Sequence, residues 1–148
     1  MKEPVLYGPA HPDEGLAVVG ERVHVLASRE QTGAGEAFIQ EGAPGMGPPP
    51  HTHAWDEAYY MLEGEMDVLL GQRLVVLKPG MFVYIPAMTP HFFRYRTPGK
   101  FFSFTSGGGA ARFFADLHHN ASGLPPDFGK VVEVAARNGV ALAAPPPA

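Results

Sequence analysis

Residues 45–65 read GMGPPPHTHAWDEAYYMLEGE and place Pro48, Pro49 and Pro50 directly before His51, His53 and Glu57. A proline lacks the N–H that a sheet ladder needs and fixes its own φ, so GMGPPP is a stiff loop rather than part of a central strand. That loop delivers His51. Beyond it the residues are branched, aromatic and apolar, and the text of residues 57–86, EAYYMLEGEMDVLLGQRLVVLKPGMFVYIP, breaks at Gly64, Gly71-Gln72, Pro79-Gly80 and Pro86. Short runs separated by such residues predict a meander of antiparallel strands.

Upstream, ERVHVLAS (21–28) and GEAFIQEGAPG (35–45) read as two further strands, the second ended by Gly42 and Pro44. Downstream, HFFRYRTPGKFFSFTS (91–106) supplies two more, turned at Pro98-Gly99. About eight strands is the number at which a barrel or a two-sheet jelly roll encloses a cavity for one small ligand, and closure leaves no free edge. The predicted fold is therefore all-β. After Gly107, Gly108 and Gly109 the spacing becomes helical, in AARFFADLHHN and in DFGKVVEVAARNG, with Asp127 as N-cap and Gly139 as stop. Phe113, Phe114 and Leu117, with Val131, Val132 and Val134, are expected to pack outside the barrel or over its mouth. The expected division is a lead-in over 1–20, a barrel over 21–106, and a helical extension with a Pro-rich tail over 107–148, its APPPA end extended or disordered.

The 148 residues suit one domain, and 18 glycines with 16 prolines argue against a mainly helical protein. A net charge of −4 without a dense Lys/Arg run gives no footprint for nucleic acid or an anionic membrane. Arg94, Arg96 and Lys100 read as a solvated face. The chain has no cysteine, which excludes disulfides, thiolate metal sites and a thiol nucleophile. The opening MKEPVLYGPAHPDEG has no signal-type apolar region, and no run approaches the roughly 18 apolar residues of a membrane span, so a cytoplasmic protein is expected.

Alternate residues of a strand share a face, so His51 and His53 point the same way and can grip one ion. Glu57 keeps that parity unless the chain bends near Ala54 to Asp56. His91 lies far off in sequence, where an antiparallel return would bring it beside the pair. Three imidazoles and a carboxylate form an N3O set that suits Fe, Mn, Ni, Co, Zn or Cu. By contrast His11, His24, His118 and His119 stand without such company and read as surface or hydrogen-bonded residues.

The punctuation around these residues resembles the cupins, small β-barrels of the jelly-roll or double-stranded β-helix type. Their first motif runs G, five residues, HxH, three or four residues, E, six residues, G, and Gly45, His51, His53, Glu57 and Gly64 fit it throughout. The second runs G, five residues, PxG, two residues, H, three residues, N, and is met by Gly80, Pro86 and His91 but not at Met88 or Tyr95, where glycine and asparagine are expected. The resemblance covers roughly residues 36–106, and the fifteen residues between Gly64 and Gly80 are similar to the short spacing of compact microbial members. It implies that His51, His53, Glu57 and His91 ligate one divalent transition metal, and that the protein forms a homodimer, the commonest two-fold assembly.

Within that family the helical tail looks like small quercetinase-like cupins, dioxygenases of flavonols or similar enolic compounds. The resemblance then implies a substrate hydroxyl on the metal, with Glu57 accepting its proton at a pKa raised by apolar surroundings. Parity with the ligands makes Tyr59, Met61, Phe93 and Tyr95 expected pocket residues, with Phe38, Phe102 and Phe104 as further ones, and the aromatic wall favours an aromatic or enolic substrate. An isomerase or decarboxylase of a small carbonyl compound, a non-catalytic small-molecule binder and a saturated structural zinc site are the alternatives.

Overall fold

The computed structural model describes residues 2–9 and 14–143, so His11 and the APPPA tail lie outside the described residues. In chain order the elements are β1 (Leu16–Val18), β2 (Glu21–Ala27), α1 (Arg29–Thr32), β3 (Glu36–Gly42), β4 (His51–Thr52), β5 (Asp56–Glu63), β6 (Met66–Leu70), β7 (Arg73–Leu77), β8 (Phe82–Ile85), β9 (His91–Tyr95), β10 (Gly99–Ser106), α2 (Ala110–Asn120), α3 (Phe128–Arg137) and β11 (Ala141–Leu142). They form a six-stranded sheet, β1-β2-β3-β10-β5-β8, facing a five-stranded one, β11-β4-β9-β6-β7, with antiparallel pairing throughout.

This is the two-sheet form of the predicted jelly roll. The sheets do not close into a barrel, so the expected loss of free edges is corrected: β1, β8, β11 and β7 are edges, blunted by lengths of two to five residues. The expected meander is also corrected. Only β6 and β7 pair as sequence neighbours within it, across Gly71-Gln72, whereas β5 pairs with β8 and β10, and β6 with β9. Each strand has one apolar face to bury, and the chain steps between sheets at its Gly and Pro breaks so that these faces meet. At Gly64 one such step is tight: φ is +76° and a Cβ would lie 2.3 Å from the Pro98 carbonyl oxygen.

The interior has two apolar clusters. Between the sheets lie Tyr59, Met61, Met66, Val68, Leu77, Ile85, Phe93, Tyr95 and Phe101. The second joins Val23 and Phe38 to Phe114 and Leu117 of α2 and to Val131, Val134 and Ala135 of α3. Both helices form where the periodicity places them, and the Asp127 side chain accepts from the Lys130 N–H at 3.2 Å as the α3 N-cap. Val132 is corrected: it is 44 % exposed, because the buried stripe of α3 runs through 131, 134 and 135. After α3 the chain returns as β11, whose Leu142 lies opposite His51. No helix among the described residues is long and apolar enough to cross a membrane.

Candidate metal centre

The three prolines end at β4, and there His51 stands directly across from His91 of β9. The long-range return thus places the two imidazoles as neighbours, with ring centroids 4.2 Å apart. At His53 the chain leaves the strand, bends through Ala54 and Trp55, and resumes as β5 in the other sheet. Glu57 therefore reaches the histidines from the facing sheet, not through a shared parity along one strand.

Backbone carbonyls orient all three rings. His51 Nδ1 is 2.9 Å from the Pro49 oxygen, His53 Nδ1 3.0 Å from that of Trp55, and His91 Nδ1 2.8 Å from that of Thr89. A carbonyl only accepts, so each Nδ1 carries the proton and each Nε2 is left to face the centre. The indole of Trp55 stacks on His53 at 4.2 Å and 8°, which fixes that ring further. Glu57 Oε2 lies 3.0 Å from Nε2 of both His53 and His91.

Burial resists the charge on Glu57, but the hydrogen bonds and charges of His53 and His91 overcome it and hold the carboxyl well below its usual range. Burial likewise opposes charge on His91, whose pKa is nonetheless raised by the Glu57 carboxylate and the Thr89 carbonyl. His51 is pushed down to about 3 by burial and then by the positive field of His91. In the metal-free centre the Nε2 atoms of His53 and His91 hold protons toward the ionised Glu57, and a metal bound there would displace those protons to reach the lone pairs.

A coordinating nitrogen of each of His51, His53 and His91 lies within 4.8 Å of the other two. Donors about 2.1 Å from one ion stand roughly 3–4 Å apart, so a small inward adjustment suits a transition metal. The donor chemistry fits as well: imidazoles whose Nδ1–H is held by a backbone carbonyl, beside a carboxylate, have the usual outer support of metal ligands.

A cavity of about 50 Å³ opens beside this centre, with His51, Glu57, Tyr59 and Phe93 in its wall. Phe113, Phe114 and Leu117 of α2 and Val131 of α3 line it too, so the helices cover the mouth. Three larger depressions, of about 490, 620 and 320 Å³, hold none of the four candidate ligands, and the first shares Glu21 with this cavity. Of the other expected pocket residues, Met61 and Tyr95 are buried in the cluster between the sheets and Phe38 in the one beneath the helices, none of them lining the cavity. Phe102 and Phe104 are corrected: the inward face of β10 carries Phe101, Ser103 and Thr105, which turns both outward, and Phe104 is 43 % exposed.

Glu21 and Gln40 also line the cavity, although neither was singled out from the sequence. Tyr95 Oη donates to Glu21 Oε1 at 2.8 Å, and Gln40 Nε2 lies 3.4 Å from both carboxyl oxygens. The tyrosine that replaces the motif asparagine thus has a buried partner of its own. Met88, in place of the motif glycine, adopts φ +65° while its N–H donates to the His53 carbonyl at 2.8 Å. The turn keeps its glycine-like shape with a side chain that strains it. His24 lies 3.0 Å from Glu41 and His118 Nδ1 accepts from the Ala17 N–H at 2.9 Å, the hydrogen-bonded roles expected of solitary histidines.

Comparison with known proteins agrees with this geometry. Residues 38–105 match the cupin domain family. The chain is 29 % identical over 80 residues to quercetin 2,3-dioxygenase of Bacillus subtilis (strain 168), a match covering 52 % of this chain and 24 % of that protein, so it spans about a quarter of the relative's length. An RmlC-like cupin from Shewanella frigidimarina NCIMB 400 superposes with a TM-score of 0.63 at 20 % identity, over 71 % of this chain and 91 % of that one. The polyketide cyclase RemF from Streptomyces resistomycificus does so with a TM-score of 0.55 at 22 % identity, over 68 % and 80 %. At such identities the two structures establish the fold and nothing finer. The chain matches the cupin domain family over residues 38–105, has the cupin fold, and is similar over part of its length to a quercetin 2,3-dioxygenase.

Proposed function

We propose that this protein is a metal-dependent cupin dioxygenase acting on a small enolic or aromatic compound, with His51, His53, Glu57 and His91 as ligands to one divalent transition metal. The observation that carries the reading is the set of three imidazoles, two buried and one partly buried, whose Nδ1 atoms are all tied to carbonyls, so that their Nε2 atoms face an ionised Glu57 at a cavity wall. Bound there, Fe, Mn, Ni, Co, Cu or Zn would supply a Lewis acid, and all but zinc a redox centre for dioxygen.

Glu57 is the catalytic base in this reading. The expected pKa, raised by apolar walls, is corrected to a lowered one: the imidazoles keep Glu57 in the carboxylate form that a base needs, with its proton affinity reduced. The Tyr59 hydroxyl lies beside Glu57, and burial together with that negative field holds its pKa well above the ordinary value, so it acts only as a donor. Phe93, Phe113 and Phe114 exclude water from the reacting end. The test is Glu57→Gln, scored by bound metal and by oxygen uptake with pentane-2,4-dione or quercetin. Retained metal with no uptake supports the assignment; uptake at the wild-type rate removes Glu57 from the base role.

Cavity size favours one alternative. About 50 Å³ holds three or four water-sized groups and is far below the roughly 300 Å³ at which drug-sized pockets begin. With the helices in place it admits a compound of a few carbons, which also suits an isomerase or decarboxylase of a small carbonyl compound. Product formation without oxygen consumption is the result that selects that chemistry.

The partner reading, a homodimer, is supported by the outer face of the six-stranded sheet. Cross-strand registers align Ile39, Phe102, Tyr60 and Phe82 in one row and Ala37, Phe104, Ala58 and Tyr84 in the next, with no charged residue in either. Tyr60, Leu62, Phe82, Tyr84 and Phe104 are 40–61 % exposed. Half-exposed aromatics of this kind present roughly 500 Å² of apolar surface, the core of a patch that with its rim reaches the about 800 Å² per partner of a stable interface. A second copy offers the same uncharged rows in return. Light scattering is expected to give a dimer that Phe82→Glu with Tyr60→Glu converts to monomer; a wild-type monomer at micromolar concentration rejects this face.

A further inference from the structure

The cavity has a second polar end that the metal chemistry does not use. Glu21 on β2 and Gln40 on β3 enter it, 6 % and 2 % exposed, while the metal ligands His51 and Glu57 occupy another part of its wall. Their hydrogen bonds form a chain with a defined direction. Ser103 Oγ donates to Gln40 Oε1 at 2.6 Å, which leaves the Gln40 NH2 facing Glu21, and Tyr95 Oη donates to Glu21 Oε1. A phenol and a carboxamide are neutral partners, so no cation balances a charge on Glu21. Burial raises its pKa from an ordinary 4.5 to about 8, the two hydrogen bonds work against that rise, and the Glu57 charge adds to it.

A protonated Glu21 has one O–H to place. Oε1 is already taken by Tyr95, and Oε2 has only the distant Gln40 NH2, itself a donor. The Gln40 carbonyl is engaged by Ser103. The carboxyl thus carries a buried donor whose one possible acceptor among these neighbours, the Tyr95 phenol oxygen, is itself placed as a donor to it, at the wall of a cavity, and a buried donor left without a partner is costly.

We propose that Glu21, positioned by Gln40 and Tyr95, is a specificity-determining residue that donates a hydrogen bond to a carbonyl or hydroxyl oxygen of the bound small molecule, at the end of the cavity away from the metal. The proposal rests on the reading above that the cavity binds substrate. It defines the ligand class further: a small molecule with two oxygen functions, one directed to the metal centre and one to an uncharged acid. The described cavity wall holds no Lys or Arg for a second anionic group.

The test joins infrared spectroscopy with binding by wild type, Glu21→Gln and Glu21→Leu. In metal-free wild type at pH 6.5 a protonated carboxyl band is expected that is absent in Glu21→Gln and that shifts when acetone enters the cavity. In the zinc-loaded proteins pentane-2,4-dione is expected to bind Glu21→Gln within about threefold of wild type, since the amide still donates, and Glu21→Leu at least tenfold more weakly, a hydrogen bond's worth. Zinc affinity is expected to be equal in all three. A Glu21 ionised at pH 6.5, a band that does not shift, or unchanged dione affinity in Glu21→Leu overturns the proposal alone. Acetone uptake that depends on Glu21 with no dione binding to the zinc-loaded wild type sinks the enolic substrate and leaves Glu21 standing. Uptake of neither probe sinks both.

Discussion

Glu57 and Glu21 are each 6 % exposed, line one cavity and belong to the same six-stranded sheet, yet they are held in opposite states. Two imidazoles at 3.0 Å keep Glu57 ionised, whereas a phenol and a carboxamide leave Glu21 to the full effect of burial, which carries its pKa to about 8. Depth alone therefore decides nothing about a carboxyl here. The partner decides, because a cation stabilises the charged form directly and a neutral dipole offsets only part of the desolvation. One end of the cavity is built to accept a proton or a metal, the other to give a hydrogen bond.

The contrast breaks most visibly at its imidazole end. His91→Ala removes one of the two rings on Glu57 and one proposed ligand, and metal affinity is expected to fall by more than roughly 100-fold, beyond what loss of an outer partner costs. Competition with a chelator measures this; a fall below tenfold places the metal elsewhere. The Glu21 end sets a pH dependence of the opposite kind from that of an ordinary carboxylate. Its folded pKa lies above the unfolded 4.5, so between 4.5 and about 8 the folded state binds the extra proton, and stability contributed by Glu21 is lost as pH rises through that window. His51, pushed down to about 3, has the reverse slope, its contribution being lost as pH falls below 6.5. Urea unfolding of metal-free wild type and Glu21→Gln separates the two. The stability of wild type relative to Glu21→Gln is expected to fall by a few kcal/mol between pH 4.5 and pH 8 and to be flat above; a constant difference refutes the raised pKa. The smallest effect concerns the turn that carries the His53 carbonyl's partner. Met88→Gly relieves a side chain at φ +65° and is expected to add about 1 kcal/mol of stability with no change in metal affinity, by the same denaturation assay.

Much of the metal end was legible because ligand chemistry is written in residue types and spacing. His51, His53 and Glu57 sit within seven residues after a proline loop, and the expectation that His91 returns beside them is met by the β4–β9 register. The Glu21 end was not legible. Glu21 opens a strand that looks like any other, its network joins β2, β3, β9 and β10, and nothing local in the sequence distinguishes a buried acid from an exposed one. Phe102 and Phe104 were misplaced for a related reason: their parity could be assigned only once β10 was registered against β3 and β5. Gly47 carried a signal that went unread. It has φ +143°, and a Cβ there would lie 2.1 Å from the Phe93 carbonyl oxygen, so the proline loop is pressed onto β9 near the site.

By itself the sequence determined the all-β class, the helical extension, the break points of the strands and the three histidines that could hold a metal ion. Each follows from local chemistry: proline and glycine restrict the backbone, and imidazole and carboxylate side chains bring their donors wherever they are placed. The tertiary structure alone decided that consecutive strands exchange sheets, that Glu57 meets the histidines from the opposite sheet, that α2 and α3 cover the cavity and shrink it to about 50 Å³, and that Glu21 stands at its far end. These depend on which apolar faces find one another across long stretches of chain, and the charge state of a buried acid depends on partners that only that meeting supplies.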